Sequence, residues 1–186
     1  MKIIIISIHN LALNYLKDSF NDNQLKKVIL ITDKLTTDLK KFLKLKNIKY
    51  LVTKKLSLKS LEKLELKKNI IISAGSPWIF TKEIIKKFGR NFYNIHQSPL
   101  PSMKGSVAPY IIMYDIRSFQ VCLHKVTAGI DSGRVIYRKN IFIPSSLKTP
   151  LTINNFLQSK NREMLKKLLI KFEKNIQLNE ETQNKY

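Results

Sequence analysis

The sequence predicts an α/β fold, a mostly parallel β-sheet with helices on both of its faces. Three observations carry this. Short, continuous apolar runs recur at Ile3–Ile6, Val28–Ile31 and Ile70–Ile72, as in strands buried on both faces. Between them apolar residues return at helical spacing, so strands and helices alternate as in βαβ units. The chain has 186 residues, the size of one domain that can bury a core of its own.

Each element has its own signal. After the first strand, Leu13, Leu16 and Phe20 mark a helix. Val28–Ile31 is the second strand. Leu35, Leu39, Phe42 and Leu43 mark a helix for which Asp33 is a candidate cap. Ile48–Val52 reads as a strand and Leu58, Leu61 and Leu64 as a helix. Ile70–Ile72 is followed by Ile84, Ile85 and Phe88, a short helix stopped by Gly89. Phe92–Ile95 is strand-like. Gln97–Pro109 holds three prolines and reads as an ordered loop. Val107–Tyr114 is expected to be a helix with Pro109 in its first turn. Val121–Val126 and Val135–Ile143 are strands joined by a turn at Gly129–Gly133. Thr149-Pro150 opens a long final helix whose apolar stripe is Ile153, Phe156, Leu157, Met164, Leu165, Leu168, Leu169 and Phe172. The expected organisation is a single domain over residues 1–177 and a polar tail over 178–186.

Composition narrows the class. Lysine and arginine number 34 against 13 acidic residues, a net charge of +21. The basic residues are mostly lysines scattered along the chain, which reads as solvated helix faces rather than a nucleic-acid surface. A positive field would nevertheless steer an anionic substrate inward. The single cysteine, Cys122, excludes an internal disulfide framework and a cysteine-rich zinc site. No apolar run reaches the roughly 18 residues of a membrane helix. The apolar start reads as a strand rather than a signal peptide, so a cytoplasmic protein is expected.

Chemistry concentrates late in the chain. Asn94 and His96 are two apart at a strand end, which places both side chains on one face. The proline-stiffened loop Ser98–Pro101 follows. An asparagine amide can donate to a developing oxyanion and a histidine can move a proton near neutral pH. Such a pair also serves as a plain hydrogen-bonded turn, and the residues alone leave both roles open. Asp131 lies in the Gly129–Gly133 turn, where a carboxylate can simply bond nearby backbone N–H groups. It is one of two acidic residues between Glu83 and Glu163, the other being Asp115. If it reached His96 it would orient that ring and stabilise its cation. None of His9, His96 and His124 has the spacing of a metal ligand set.

The stretch Asn94-Ile95-His96-Gln97-Ser98-Pro99-Leu100-Pro101, then Lys104-Gly105, then Val121–His124, then Gly129-Ile130-Asp131-Ser132-Gly133, resembles the formyltransferases that use N10-formyltetrahydrofolate. Their signature is Asn-x-His-x-Ser-x-Leu-Pro followed by Asp-x-Gly. The resemblance is strongest over residues 70–143. It implies a Rossmann-like formyltransferase fold and a catalytic set of Asn94, His96 and Asp131, with no metal. It implies a folate site between the loop carrying Ser76, Pro77, Trp78, Ile79 and Phe80 and the turn carrying Thr127, Ala128, Gly129 and Ile130. It implies substrate contacts from Ser98 and Lys104. His124 matches a common family histidine and is read as a structural hydrogen-bonding residue.

Within the family, the glycinamide ribonucleotide enzymes carry a Gly-rich phosphate loop after the first strand. Here that place reads Ser7-Ile8-His9-Asn10, without glycine. The methionyl-tRNA enzymes carry a further C-terminal domain that this length does not hold. The chain looks most like the sugar N-formyltransferases. Gln120 and Cys122 stand where Gly and Thr are usual. The implied function is transfer of a formyl group to the primary amine of a nucleotide-linked amino sugar, for surface polysaccharide synthesis. The alternatives are another amine, such as a purine precursor or an aminoacyl group, or a non-catalytic folate- or nucleic-acid-binding relative. Neither a membrane nor nucleic acid is the expected partner, and a homodimer is one assembly the resemblance leaves open.

Overall fold

The apolar runs assemble into one seven-stranded sheet in a computed structural model that describes residues 1–62, 64, 66, 69–105 and 108–173. In chain order the elements are β1 (Ile3–Ile6), α1 (His9–Ser19), α2 (Asp22–Leu25), β2 (Val28–Thr32), α3 (Thr37–Leu45), β3 (Lys49–Val52), α4 (Leu58–Leu61) and β4 (Ile70–Ala74). They continue with α5 (Lys82–Phe88), β5 (Phe92–His96), α6 (Ala108–Met113), β6 (Ser118–Lys125), β7 (Val135–Phe142) and α7 (Pro150–Glu173). The strand order is β3-β2-β1-β4-β5-β6-β7. The first five strands are parallel, and β6 and β7 add on antiparallel. This is the mostly parallel, helix-flanked sheet that the alternating pattern predicts.

Strands with two buried faces explain the unbroken isoleucines. Ile3 and Ile5 of β1 pack into the larger core with α1, α3 and α7, while Ile4 and Ile6 enter the core on the opposite face with α4 and α5. Successive residues of one strand therefore supply both layers. A polar residue at any of these positions would leave an unsolvated group inside. β3 is different: Lys49, Tyr50 and Val52 are exposed because this strand is an edge.

Some expectations are corrected. Asp33 does not cap α3; the Thr36 hydroxyl accepts from the Leu39 N–H there, and Asp33 turns to His9 instead. Leu64 lies beyond α4, which is a single turn from Leu58 to Leu61. The short helix α2 was not anticipated, although Asn21 and Gln24 form a capping box. Val107 and the 178–186 tail lie outside the described residues.

Along β1, β2 and β3 the sheet grows in one direction, and along β4 and β5 in the other. That reversal makes the carboxyl edge beside β1 and β4 a natural place for a cleft. Among the described residues no helix is long and apolar enough to cross a membrane.

Candidate active site

A cleft of about 550 Å³ opens at this edge, within the range of small-molecule sites. Its back is the ends of β4 and β5, with Ser73, Asn94 and His96. One wall is the loop after β4, with Ser76, Trp78, Ile79 and Phe80, and the opposing wall is the β6–β7 turn, with Thr127, Gly129, Ile130 and Asp131. Gly105 closes one side, and Gln158 and Asn161 of α7 contribute another.

The two walls hold their shapes by local bonding. The Ser76 hydroxyl accepts from the Trp78 N–H at 3.0 Å, and the Trp78 indole donates to the Lys54 carbonyl at 3.2 Å. Phe80 packs edge-on to Phe92, centroids 4.8 Å apart, anchoring the loop to the core. In the opposing turn, Thr127 and Ser132 hydroxyls meet at 3.0 Å. A Cβ on Gly133 would sit 1.7 Å from the Lys125 carbonyl oxygen, so no side chain fits there. In the same turn Asp131 takes a left-handed backbone, φ 46°.

Asp131 is where the site converges. Its Oδ2 accepts from the Gly105 N–H at 3.0 Å and lies 3.4 Å from His96 Nε2. Its Oδ1 accepts from Asn94 Nδ2 at 3.2 Å and lies 3.4 Å from His124 Nε2. Burial opposes ionisation of this carboxyl. The His124 and His96 rings in their protonated forms and the Gly105 N–H outweigh it and hold the group at about 2. Asp131 is therefore a carboxylate at neutral pH.

His96 is the complement. Burial pushes its pKa below the ordinary value, and the charge of Asp131 recovers only part of that loss. The Met103 backbone recovers a further part. Nε2 is buried, makes no hydrogen bond and lies 3.4 Å from Asp131 Oδ2, at the back of the cleft. His124 donates from Nδ1 to the Lys125 carbonyl at 2.8 Å, which leaves its Nε2 to accept from Asn94 Nδ2 at 3.1 Å. The Asn94 amide hydrogens are thus committed to Asp131 and His124.

The sequence-derived residues are distributed as follows. Asn94, His96 and Asp131 come together. Trp78, Ile79, Phe80, Thr127, Gly129 and Ile130 line the cleft, while Pro77 and Ala128 sit exposed beside it. Ser98 is fully buried, and its hydroxyl donates to the Met103 carbonyl, so it holds the loop rather than facing the cleft. Lys104 is exposed and is not among the residues lining the cleft, whereas its neighbour Gly105 lines it and bonds Asp131. His124 belongs to the hydrogen-bonded cluster itself, which the antiparallel register Asn94↔His124 brings about. Gln158 and Asn161 were missed. Their signal was present: Asn161 lies four residues after Leu157 and three before Met164, a polar residue on a buried stripe. Among the described residues no group of His, Cys, Asp and Glu could hold a metal ion.

No family model matches the sequence, and no curated protein matches it. Solved structures do share the fold. A phosphoribosylglycinamide formyltransferase from Bacillus halodurans superposes with a TM-score of 0.72 at 22% identity, over 91% of this chain and 95% of that one. An N-formyltransferase from Helicobacter canadensis, in complex with folinic acid and dTDP-3-aminofucose, gives 0.72 at 24% identity. That match covers 95% of this chain and 65% of the Helicobacter chain. A formyltetrahydrofolate deformylase from Pseudomonas syringae gives 0.73 at 15% identity, over 94% and 61%. The chain has the formyltransferase fold.

Proposed function

We propose that this protein transfers a formyl group from N10-formyltetrahydrofolate to a primary amine, and that the amine belongs to a nucleotide-linked amino sugar. The observation that carries the reading is the meeting of Asn94, His96 and Asp131 at the back of a cleft with an apolar wall. The cleft fits a folate. Trp78, Ile79 and Phe80 offer a flat apolar surface, and the facing turn offers backbone groups to a heterocycle. When bound, the folate supplies the formyl carbon and a nitrogen that departs.

The protein's part follows from the geometry. Burial favours the neutral form of His96, which can accept the proton that an attacking amine must lose. Once the ring is protonated, Nε2 is a donor 3.4 Å from the Asp131 carboxylate, which stabilises the cation. His96 can then return the proton to the departing nitrogen. The protonated ring can also donate to the formyl oxygen as charge develops on it. Asn94 adds a donor to that oxygen by exchanging one of its two present partners, and until then it orients Asp131. His124 holds the Asn94 amide in place, a positioning role.

The amino-sugar assignment is supported by two features. The neighbours of the same fold include an enzyme solved with dTDP-3-aminofucose and a sugar 3N-formyltransferase. The connection from β1 to α1 has no glycine, and the His9 N–H that opens α1 is taken by Asp33 at 2.8 Å. A phosphate has no such N–H to receive it.

The test is an assay of the purified chain with N10-formyltetrahydrofolate against nucleotide-linked amino sugars, glycinamide ribonucleotide and an aminoacyl-tRNA. The expected result is a formylated amino sugar, seen by mass, with one donor consumed per product. Donor consumption equal with and without amine would replace the proposal with a hydrolytic reading.

A further inference from the structure

Three polar side chains of the last two strands do not line the cleft and have had no role so far: Gln120 and Cys122 of β6, and Arg138 of β7. The sheet register lines two of them up with the site. His96 of β5 pairs with Cys122, and Cys122 pairs with Arg138. Residues paired directly across strands share a face, so His96, Cys122 and Arg138 form one row on one side of the sheet.

The loop that follows β5 lies on this row. Its Leu100 is buried with Cys122 and Val135 in a small core of their own. Two carbonyls of the loop are held by the row. The Cys122 thiol donates to the Ser98 carbonyl at 3.1 Å, and Arg138 Nη1 donates to the Leu100 carbonyl at 2.6 Å. The second bond is short and charge-assisted, and so the stronger of the two. Arg138 Nη1 also lies 3.4 Å from Gln120 Oε1. That oxygen is oriented, because Gln120 Nε2 donates to Asn140 Oδ1 at 2.8 Å.

The far end of the same loop carries two backbone groups that act on the Asn94–His96–Asp131 cluster. The Gly105 N–H donates to Asp131 Oδ2 at 3.0 Å, and the Met103 backbone favours the protonated His96 ring. Between its ends the loop is tied to itself. The Met103 N–H donates to the Pro99 carbonyl at 3.0 Å, and the Ser98 hydroxyl donates to the Met103 carbonyl. A loop braced in this way moves as a unit, so a shift at Leu100 displaces Met103 and Gly105 as well.

We infer that Arg138, assisted by Gln120 and Cys122, clamps the loop after β5, and that Arg138 is a positioning residue which fixes where the Gly105 N–H meets Asp131. Its consequence for turnover rests on the formyl-transfer reading, whereas the position of the loop does not.

Hydrogen exchange of the Gly105 amide in the full chain reads that position directly, since its bond to Asp131 protects it. In Arg138→Ala this amide should exchange at least tenfold faster, while the amides of β6 keep their wild-type rates. Arg138→Lys retains a charged donor and should restore most of the protection. Lys139→Ala removes the neighbouring cation, which is paired with Glu163, and should leave the Gly105 rate and turnover unchanged. In the formyl-transfer assay Arg138→Ala should lower kcat about tenfold with the KM for the folate unchanged, and Arg138→Lys should recover most of that loss. If Arg138→Ala does not fold, Cys122→Ala carries the test. There the Gly105 amide should exchange about threefold faster, a smaller effect because a thiol is a weak donor. An unchanged Gly105 rate would overturn the clamp, and so would equal acceleration throughout β6 and β7, which marks a merely structural role. A raised KM with kcat unchanged would overturn the positioning role. Exchange as expected, with no formyl transfer by the wild-type chain, supports the clamp and removes the formyl-transfer reading instead.

Discussion

In the proposed reaction His96 and Asp131 divide the work of one proton, and their environments set the division. The ring is kept neutral by burial, and the carboxylate is kept charged by its neighbours. The turnover rate should therefore be flat from about pH 7 to 8. It should fall about tenfold per pH unit below an inflection that lies under the ordinary histidine value. A pH–rate profile with its acidic inflection above 6.5 would remove His96 as the base. Asn94→Ala should lower turnover by roughly 10²–10³ while folate affinity changes little. Here the structure adds a second cause to the lost oxyanion donor, since Asp131 and His124 lose the amide that holds them apart. Asp131→Ala should be as severe, and steady-state kinetics on both variants with folding checked by circular dichroism decides it. The Asn-x-His pair and the Asp were legible through the resemblance of their motif to the formyltransferase signature, since the residues by themselves left a plain hydrogen-bonded turn open. The roles of their hydrogens were not, because those depend on His124 and Met103, which lie in other segments.

Two loops and a helix make the cleft. Trp78 is exposed enough to meet a ligand and tied to Lys54, so folate titration should quench its emission. Measured binding without a change in emission would take Trp78 out of the site. The β6–β7 turn depends on Gly133. Gly133→Ala should cost on the order of 3 kcal/mol in denaturant unfolding, because the new methyl collides with the Lys125 backbone that bonds Arg134 across the turn. Ser98→Ala should cost only about 1 kcal/mol and reduce turnover less than tenfold, as befits a hydroxyl that braces the loop on Met103. The strands were legible to within a residue or three, since continuous isoleucine runs have few alternatives. The edge position of β3 and the entry of α7 into the cleft were not. Both depend on which elements become neighbours, and a single segment's periodicity does not contain that information.

Over the whole molecule, acid should be the main stress. His96 has a folded pKa below its unfolded one, so the unfolded chain binds more protons as the pH drops below about 6.5 and stability declines there. Asp131 falls from 3.8 to about 2 on folding, so its contribution is complete above 3.8 and lost as the pH falls through about 2. That contribution is roughly 2 kcal/mol by proton linkage. Denaturant titrations at several pH values should show a plateau above pH 7 and both losses on the acid side. By itself the sequence determined the α/β class and the strand list, because local periodicity encodes them, and its motif singled out Asn94, His96 and Asp131 as candidates. Only the tertiary structure decided that Ser98 braces a loop while His124, Gln158 and Asn161 reach the site. The reason is physical. A side chain's role depends on what satisfies its donors and acceptors, and those partners come from strands and helices far away in the chain: His124 across the β5–β6 pair, and Tyr15 across the interface of α1 with α7.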